Sequence, residues 1–232
     1  PGHTLGRLLR GVIKHDAGLY WVDYSGIEAR VAPWLADDQD GEKILAIHRR
    51  GDDLYIASAA VMAGISIDDV TPDLRQAGKI AVLACGYAGG IGALQSMAKN
   101  YGLAFSDDRA EKIVNEWRDT NQWAVNLWAA FDEAVVGAVQ YPGETYHAGR
   151  CALQSDGGNY LWCALPSGRM LAYPKPRWEQ YNTPWGTREG PTHQLNLRTA
   201  VGQPSHRKHT RGANIMQNVT QAVAADLLRE SL

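Results

Sequence analysis

The sequence predicts an α+β protein, and three features of its patterning carry that expectation. Residues from Ser25 to about Val139 read as successive helices punctuated by caps and breakers. After Pro142-Gly143 the character changes to short strands and turns. A last helical pattern starts near Ala213 and is still in progress at Leu232.

Taken in order, Leu9 to Val22 reads as two short strands around a turn at Asp16-Ala17-Gly18. A helix follows from Ser25 to about Leu35, with Pro33 placed to kink it. A second helix is expected around Asp40 to Arg50, and Asp53-Leu54-Tyr55 opens a third that ends near Gly64. Thr71-Pro72-Asp73 is an N-cap followed by proline at the first helical position, starting a helix that Gly89-Gly90 stops. Ser106 caps a long helical region through Val139. Its Trp117, Trp123 and Trp128 have helical spacing, which fits a core stripe better than a base-stacking platform. Beyond it, Tyr160–Leu165 and Met170–Tyr173 flank a Pro-Ser-Gly turn as a hairpin. Pro174 to Arg211 lacks apolar periodicity and is expected to be an irregular connection.

Composition narrows the class. The 232 residues are 45% hydrophobic, which favours a globular chain over disorder. No signal peptide or membrane span is visible, so the expectation is a cytoplasmic protein without a membrane partner. Cys85, Cys151 and Cys163 are widely spaced without a C-x-x-C pair, indicating neither a disulfide framework nor a zinc site. The net charge of −2 hides a strong asymmetry. Asp23 to Asp73 holds eleven acids and four bases, whereas Arg150 to Arg211 holds nine bases and three acids. Nucleic-acid binding needs local cations rather than a basic average. Ser205 to Arg211 is the best candidate contact, against the plainer reading of a solvated loop.

Two segments carry chemistry. Asp23-Tyr24-Ser25-Gly26-Ile27-Glu28-Ala29-Arg30 follows the apolar run Leu19 to Val22, so Asp23 closes a strand where a carboxylate can hold a hard cation such as Mg²⁺. The same residues also fit a capping box, Ser25 to Glu28. In the second segment Arg75, Lys79, Leu83 and Tyr87 recur every four residues, a slowly turning stripe on one helix face. Arg75 and Lys79 one turn apart suit a polyphosphate, and the apolar and aromatic residues beyond suit a sugar and a base. An ordinary amphipathic helix with a basic edge has the same appearance.

Together the two segments resemble the family A, DNA polymerase I type, of DNA polymerases. Asp23 to Arg30 resembles that family's first palm motif, D-Y/F-S-x-I-E-x-R, and Arg75 to Tyr87 its fingers helix. Gln217 to Leu228 is similar to the N-x-x-Q-A-x-A-x-D-L-L helix of the phage-like branch. Weaker matches are Trp117-Arg118 with Asn121 and Trp128, and Pro166 to Arg169 with Tyr173-Pro174. The resemblance implies a right-hand fold, with an antiparallel palm sheet backed by helices and helical fingers inserted. Residues 1–36 would be palm, 37–140 fingers and 141–232 palm again.

The resemblance also implies roles. The reaction would be template-directed transfer of dNTPs to a primer hydroxyl, with two divalent ions, Mg²⁺, clamping the attacking and leaving oxygens. Asp23 and the Tyr24 carbonyl would be metal ligands. Arg75 and Lys79 would hold the triphosphate, and Tyr55 would stand near the phosphates. Glu28, supported by Tyr87, would exclude a 2′-hydroxyl, and Leu83 would contact the sugar. Gln217, Asn218 and Gln221 would meet primer–template DNA in the minor groove, with Arg211 on its backbone. Three departures stand out. Leu83 replaces the aromatic residue of cellular relatives. Asn218 is one position later than in most of the family. The H-D-E segment with the second metal carboxylate and the thumb are absent, implying a partial chain that is inactive alone. Rival readings are a single-subunit RNA polymerase and a non-catalytic primer–template-binding module.

Overall fold

The computed structural model describes residues 18, 23–183, 186–194 and 207–231. The strands expected over Leu9 to Val22 therefore lie outside the described residues, Gly18 apart. The helices are α1 (Ile27–Ala36), α2 (Gln39–Arg49), α3 (Leu54–Ala63), α4 (Pro72–Cys85), α5 (Ile91–Asn100), α6 (Asp107–Thr120), α7 (Gln122–Gln140) and α8 (Gly212–Glu230). Between α7 and α8 come β1 (Thr145–Ala148), β2 (Cys151–Ser155), β3 (Tyr160–Ala164), β4 (Met170–Pro174), β5 (Arg177–Thr183), β6 (Gly186–Gln194) and β7 (Arg207–His209). The class is α+β: β1 to β4 form an antiparallel meander, and β5 to β7 a second antiparallel sheet.

α1 does not begin with a capping box. Gly26, in the left-handed region at φ 60°, takes the N-cap position without a side-chain bond, so Ser25 and Glu28 do not cap the helix. Pro33 lies inside α1 and has no N–H to offer the Ala29 carbonyl four residues back. His48 Nε2 from α2 lies 3.3 Å from that oxygen and, in the Nε2–H tautomer, donates to it. The proline is thereby matched by a bond from the neighbouring helix.

α3 and α4 approach unusually closely. A Cβ on Gly78 would lie 2.4 Å from the Tyr55 carbonyl oxygen, so only glycine lets α4 seat here. This packing sets Tyr55 beside the basic edge of α4. The helix itself starts as expected, with Thr71 Oγ1 accepting from Leu74 N and Pro72 in the first turn, but it ends at Cys85, short of Gly89-Gly90. Tyr87 thus lies just past the helix end. Trp128 Nε1 donates to the Gly86 carbonyl at 3.2 Å and an Arg118 Nη2 donates to the Gly89 carbonyl at 3.2 Å, fixing the exit.

The long helical region expected from Ser106 is present as two helices, α6 and α7. At the junction the Asn121 amide donates to the Trp117 carbonyl at 2.8 Å while its oxygen accepts from Trp123 Nε1 at 3.1 Å. These bonds divert the backbone although the apolar spacing runs on. Trp117 and Trp128 stack with ring centroids 6.1 Å apart, and all three tryptophans are buried. α7 carries this core onward against β1, β2 and α8, and α1 packs on both α7 and α8. Gly212 admits the α7–α8 contact, since its Cβ would lie 2.4 Å from Asp132 N. α8 ends at Glu230 with Ser231 as its C-cap, and Leu232 lies outside the described residues.

The expected hairpin is β3–β4, extended by β1 and β2 into four strands. Its turn is bound to α8: Arg169 Nε donates to Asp226 Oδ1 at 2.8 Å, and Ser167 Oγ to Asp226 Oδ2 at 2.7 Å. The stretch expected to be irregular holds β5 to β7 instead. These strands are joined by polar and aromatic pairs, among them Glu179 with Thr192 and Arg207, and Tyr181 stacked on His209. All three cysteines are buried free thiols.

Candidate active site

The site is built around α1. Of the clefts that flank this helix, three each collect one group of the residues singled out in the sequence. The first, of about 720 Å³, has Asp23 and Tyr24 at one end and Trp34, Arg49 and Leu227 among its walls. Its size suits a small ligand. The second is lined by Gly26, His48, Asp53, Tyr55 and Arg75. Ser25 and Arg30 line both, so the two adjoin at the α1 N-terminus. The third holds Glu28, Leu83 and Tyr87 over Trp117 and Trp123, and it shares Ala29 and Leu54 with the second.

In the first cleft, Asp23 is exposed and makes no hydrogen bond or ion pair with the described residues. The Tyr24 hydroxyl is bonded to Ser231 Oγ at 2.6 Å, which ties the Asp23 segment to the end of α8. Among the described residues no group of three or more His, Cys, Asp or Glu side chains is placed to hold a metal. What this cleft offers a hard cation is the Asp23 carboxylate, without a partner among the described residues. That donor set fits Mg²⁺, which keeps several waters and takes one or two carboxylates plus substrate phosphates.

In the second cleft, the Arg75 guanidinium is held on two sides. Asp53 Oδ2 accepts from Nε at 2.8 Å, with Nη2 at 2.7 Å, and the guanidinium carbon lies 5.6 Å from the Tyr55 ring centroid. Burial acts to raise the Asp53 carboxyl, but Arg75 and the backbone amides of Ile56 and Tyr55 outweigh it and hold it below the usual carboxylate range. Lys79 lines none of the three clefts; its Nζ lies 5.9 Å from the Tyr55 centroid and 5.2 Å from that of Tyr101. Burial, then the Asp53 charge, push the Tyr55 phenol upward.

In the third cleft, the Tyr87 hydroxyl donates to Glu28 Oε2 at 2.8 Å, joining residues 59 positions apart. Gln221 Nε2, from α8, lies 3.5 Å from Glu28 Oε1. Burial and the Glu28 carboxylate both drive the Tyr87 phenol far above its ordinary value, so it stays a donor. Leu83 is 37% exposed beside this pair. Asn218 is exposed and donates to the Tyr173 hydroxyl at 3.2 Å, Gln217 is half-buried, and Arg211 is an exposed N-cap residue of α8.

The structure thus gathers Asp23, Tyr24, Glu28, Tyr55, Arg75, Leu83, Tyr87 and Gln221 around one helix and leaves Arg211 apart. Arg30, His48 and Asp53 also line the second cleft, and the sequence alone assigns them no role in a site. Arg30 stands within the first motif, but His48 and Asp53 read as a helix residue and an ordinary N-cap.

No family model matches the chain. The DNA polymerase of Bacillus phage SP02 is 37% identical over 236 residues, covering 99% of this chain and 34% of that protein. DNA polymerase I of Caldicellulosiruptor bescii is 30% identical over 118 residues, 48% of this chain and 12% of that protein. The chain thus spans about a third of the first relative's length and less of the second. A solved structure, the POL domain of Pol1 from M. smegmatis in complex with DNA primer–template and dNTP, aligns at TM-score 0.44 and 21% identity, over 66% of this chain and 22% of that chain. With its three motifs in that family's order and 37% identity to a phage DNA polymerase along nearly its whole length, the chain is similar to DNA polymerases of the family A, DNA polymerase I type.

Proposed function

We propose that this chain contributes the palm and fingers of an enzyme that transfers deoxynucleotides from dNTPs to a primer hydroxyl on a DNA template. The observation that carries the reading is the Glu28–Tyr87 bond: it closes one motif on another, two clefts away from Asp23 and one from Arg75. The names of the two relatives support the activity and the substrate class.

Each group has a task in this reading. Arg75, steadied on Tyr55, and Lys79 bind the triphosphate and offset the charge that gathers on the departing pyrophosphate. The Glu28 carboxylate, fixed by Tyr87, fills the space a 2′-hydroxyl would need. Gln217, Asn218 and Gln221 on α8 face the terminal base pair, whose minor-groove acceptors are alike for all sequences. Arg211 contacts the DNA backbone. Asp23 and the Tyr24 carbonyl would hold divalent ions. When bound, such ions supply charge stabilisation to the attacking and leaving oxygens. With one candidate metal carboxylate among the described residues, the 232 residues are proposed to be inactive by themselves. Residues 1–36 and 141–232 are assigned to the palm and 37–140 to the fingers. No helix among the described residues is long and apolar enough to cross a membrane.

The test is extension of a primer–template by the protein that carries this chain, with dNTPs and with rNTPs in parallel. Strong preference for dNTPs is expected; equal use of rNTPs, or no extension with either, contradicts the reading. Leu83 gives a finer prediction. Leu83→Tyr adds a phenol ring where the sugar is proposed to rest, and it is expected to change the ratio of dideoxy- to deoxynucleotide incorporation by about tenfold, the scale of a changed pocket contact. An unchanged ratio would remove Leu83 from the sugar site.

A further inference from the structure

We propose that Asp53 is a positioning residue for the phosphate clamp, holding Arg75 edge-on so that its free edge meets the nucleoside triphosphate. The inference rests on the reading of Arg75 as a triphosphate ligand and adds a residue that neither motif contains.

The two oxygens of Asp53 have separate partners. Oδ1 accepts from Tyr55 N at 2.8 Å and Ile56 N at 3.2 Å, so the side chain is locked as the N-cap of α3. Oδ2 receives the Nε and Nη2 edge of Arg75. The guanidinium also lies over the ring of Tyr55, whose own backbone is pinned by the same carboxylate and packed against Gly78. A planar fork fixed on one edge and one face keeps only its Nη1 side free. That side makes no hydrogen bond among the described residues, and Arg75 lines the cleft shared with Ser25, Gly26 and Arg30. An arginine at the start of a helix otherwise has several rotamers to lose on binding, and pre-ordering it lowers that cost.

The position allows a clean separation of roles. Asparagine retains a cap acceptor for the α3 amides but replaces the charged Oδ2 with an amide that cannot accept from Arg75. In primer extension by the protein that carries this chain, Asp53→Asn is expected to raise the KM for dNTP about tenfold, the worth of one charge-assisted hydrogen bond. Affinity for primer–template and the melting temperature should stay unchanged. In an Arg75→Ala background the same substitution should have no further effect. Arg75→Lys, which keeps the charge but loses the fork, should raise KM like Asp53→Asn, and serves if that variant proves less stable. An unchanged or lowered KM in Asp53→Asn, or an equal rise with and without Arg75, overturns the assignment. Should Arg75→Ala itself leave KM unaltered, the triphosphate reading fails first and the role of Asp53 goes with it.

Discussion

Asp23→Ala is expected to lower primer extension by about a thousandfold or more while leaving the fold intact. The size follows from the several kcal/mol that a bound divalent ion contributes to a phosphoryl-transfer transition state, at about 1.4 kcal/mol per tenfold. The lack of a folding effect follows from the structure: Asp23 is exposed and makes no hydrogen bond or ion pair with the described residues. Removing such a side chain usually changes stability by less than about 0.5 kcal/mol. An acid at a cleft with no partner among the described residues is available to a ligand. Thermal melting and primer–template affinity of the variant should match the parent, with only the rate of nucleotide addition falling. Extension within about tenfold of the parent, on the same rate scale, would take Asp23 out of the chemistry.

Glu28→Ala is expected to reduce the preference for dNTPs over rNTPs by about a hundredfold, the scale of discrimination a shaped pocket supplies. Two changes act together. The space the carboxylate fills becomes open to a 2′-hydroxyl, and the Tyr87 hydroxyl loses the acceptor that fixes its ring. Leaving that donor unpaired costs about 1–3 kcal/mol, so a lower melting temperature should accompany the change. Tyr87→Phe separates the effects, since it removes the bond but keeps the Glu28 carboxylate, and its loss of selectivity should be smaller. The measurement is the ratio of kcat/KM for paired dNTP and rNTP substrates. A ratio unchanged by Glu28→Ala would show that sugar selection lies elsewhere.

Much of this site is legible in the sequence, because its residues sit in compact motifs. Asp23, Glu28 and Arg30 fall within eight positions, and the stripe Arg75, Lys79, Leu83 rides one helix. Only resemblance tied Glu28 to Tyr87, since no periodicity links residues across 59 positions. Asp53 escaped notice because an aspartate before an apolar run reads as a helix cap, which it also is. Its bond to Arg75 depends on how closely α3 seats on α4, a distance set by Gly78.

The misread elements have similar local causes. β6 is the central strand of its sheet, yet it contains Gly190 and Pro191 and no aliphatic side chain. Proline is rare in such a place, so the segment read as irregular. The sheet is held instead by cross-strand polar contacts that alternation of hydrophobicity does not reveal, such as Thr192 Oγ1 with Arg207 Nη2 at 2.7 Å. α5 was hidden by Gly89-Gly90, which looks like a stop but supplies Gly90 as an N-cap without side-chain bonds.

The proposed function requires that the Asp23 carboxylate, the Arg75–Lys79 clamp and the Glu28–Tyr87 pair surround a single bound nucleotide. Diffraction from crystals of the protein that carries this chain, grown with Mn²⁺ and a dNTP, tests it most directly. Anomalous scattering from Mn²⁺ is expected beside Asp23, with phosphates against Arg75 and Lys79 and the deoxyribose over Glu28 and Tyr87. A nucleotide bound away from α1, or Mn²⁺ bound far from Asp23, would contradict it.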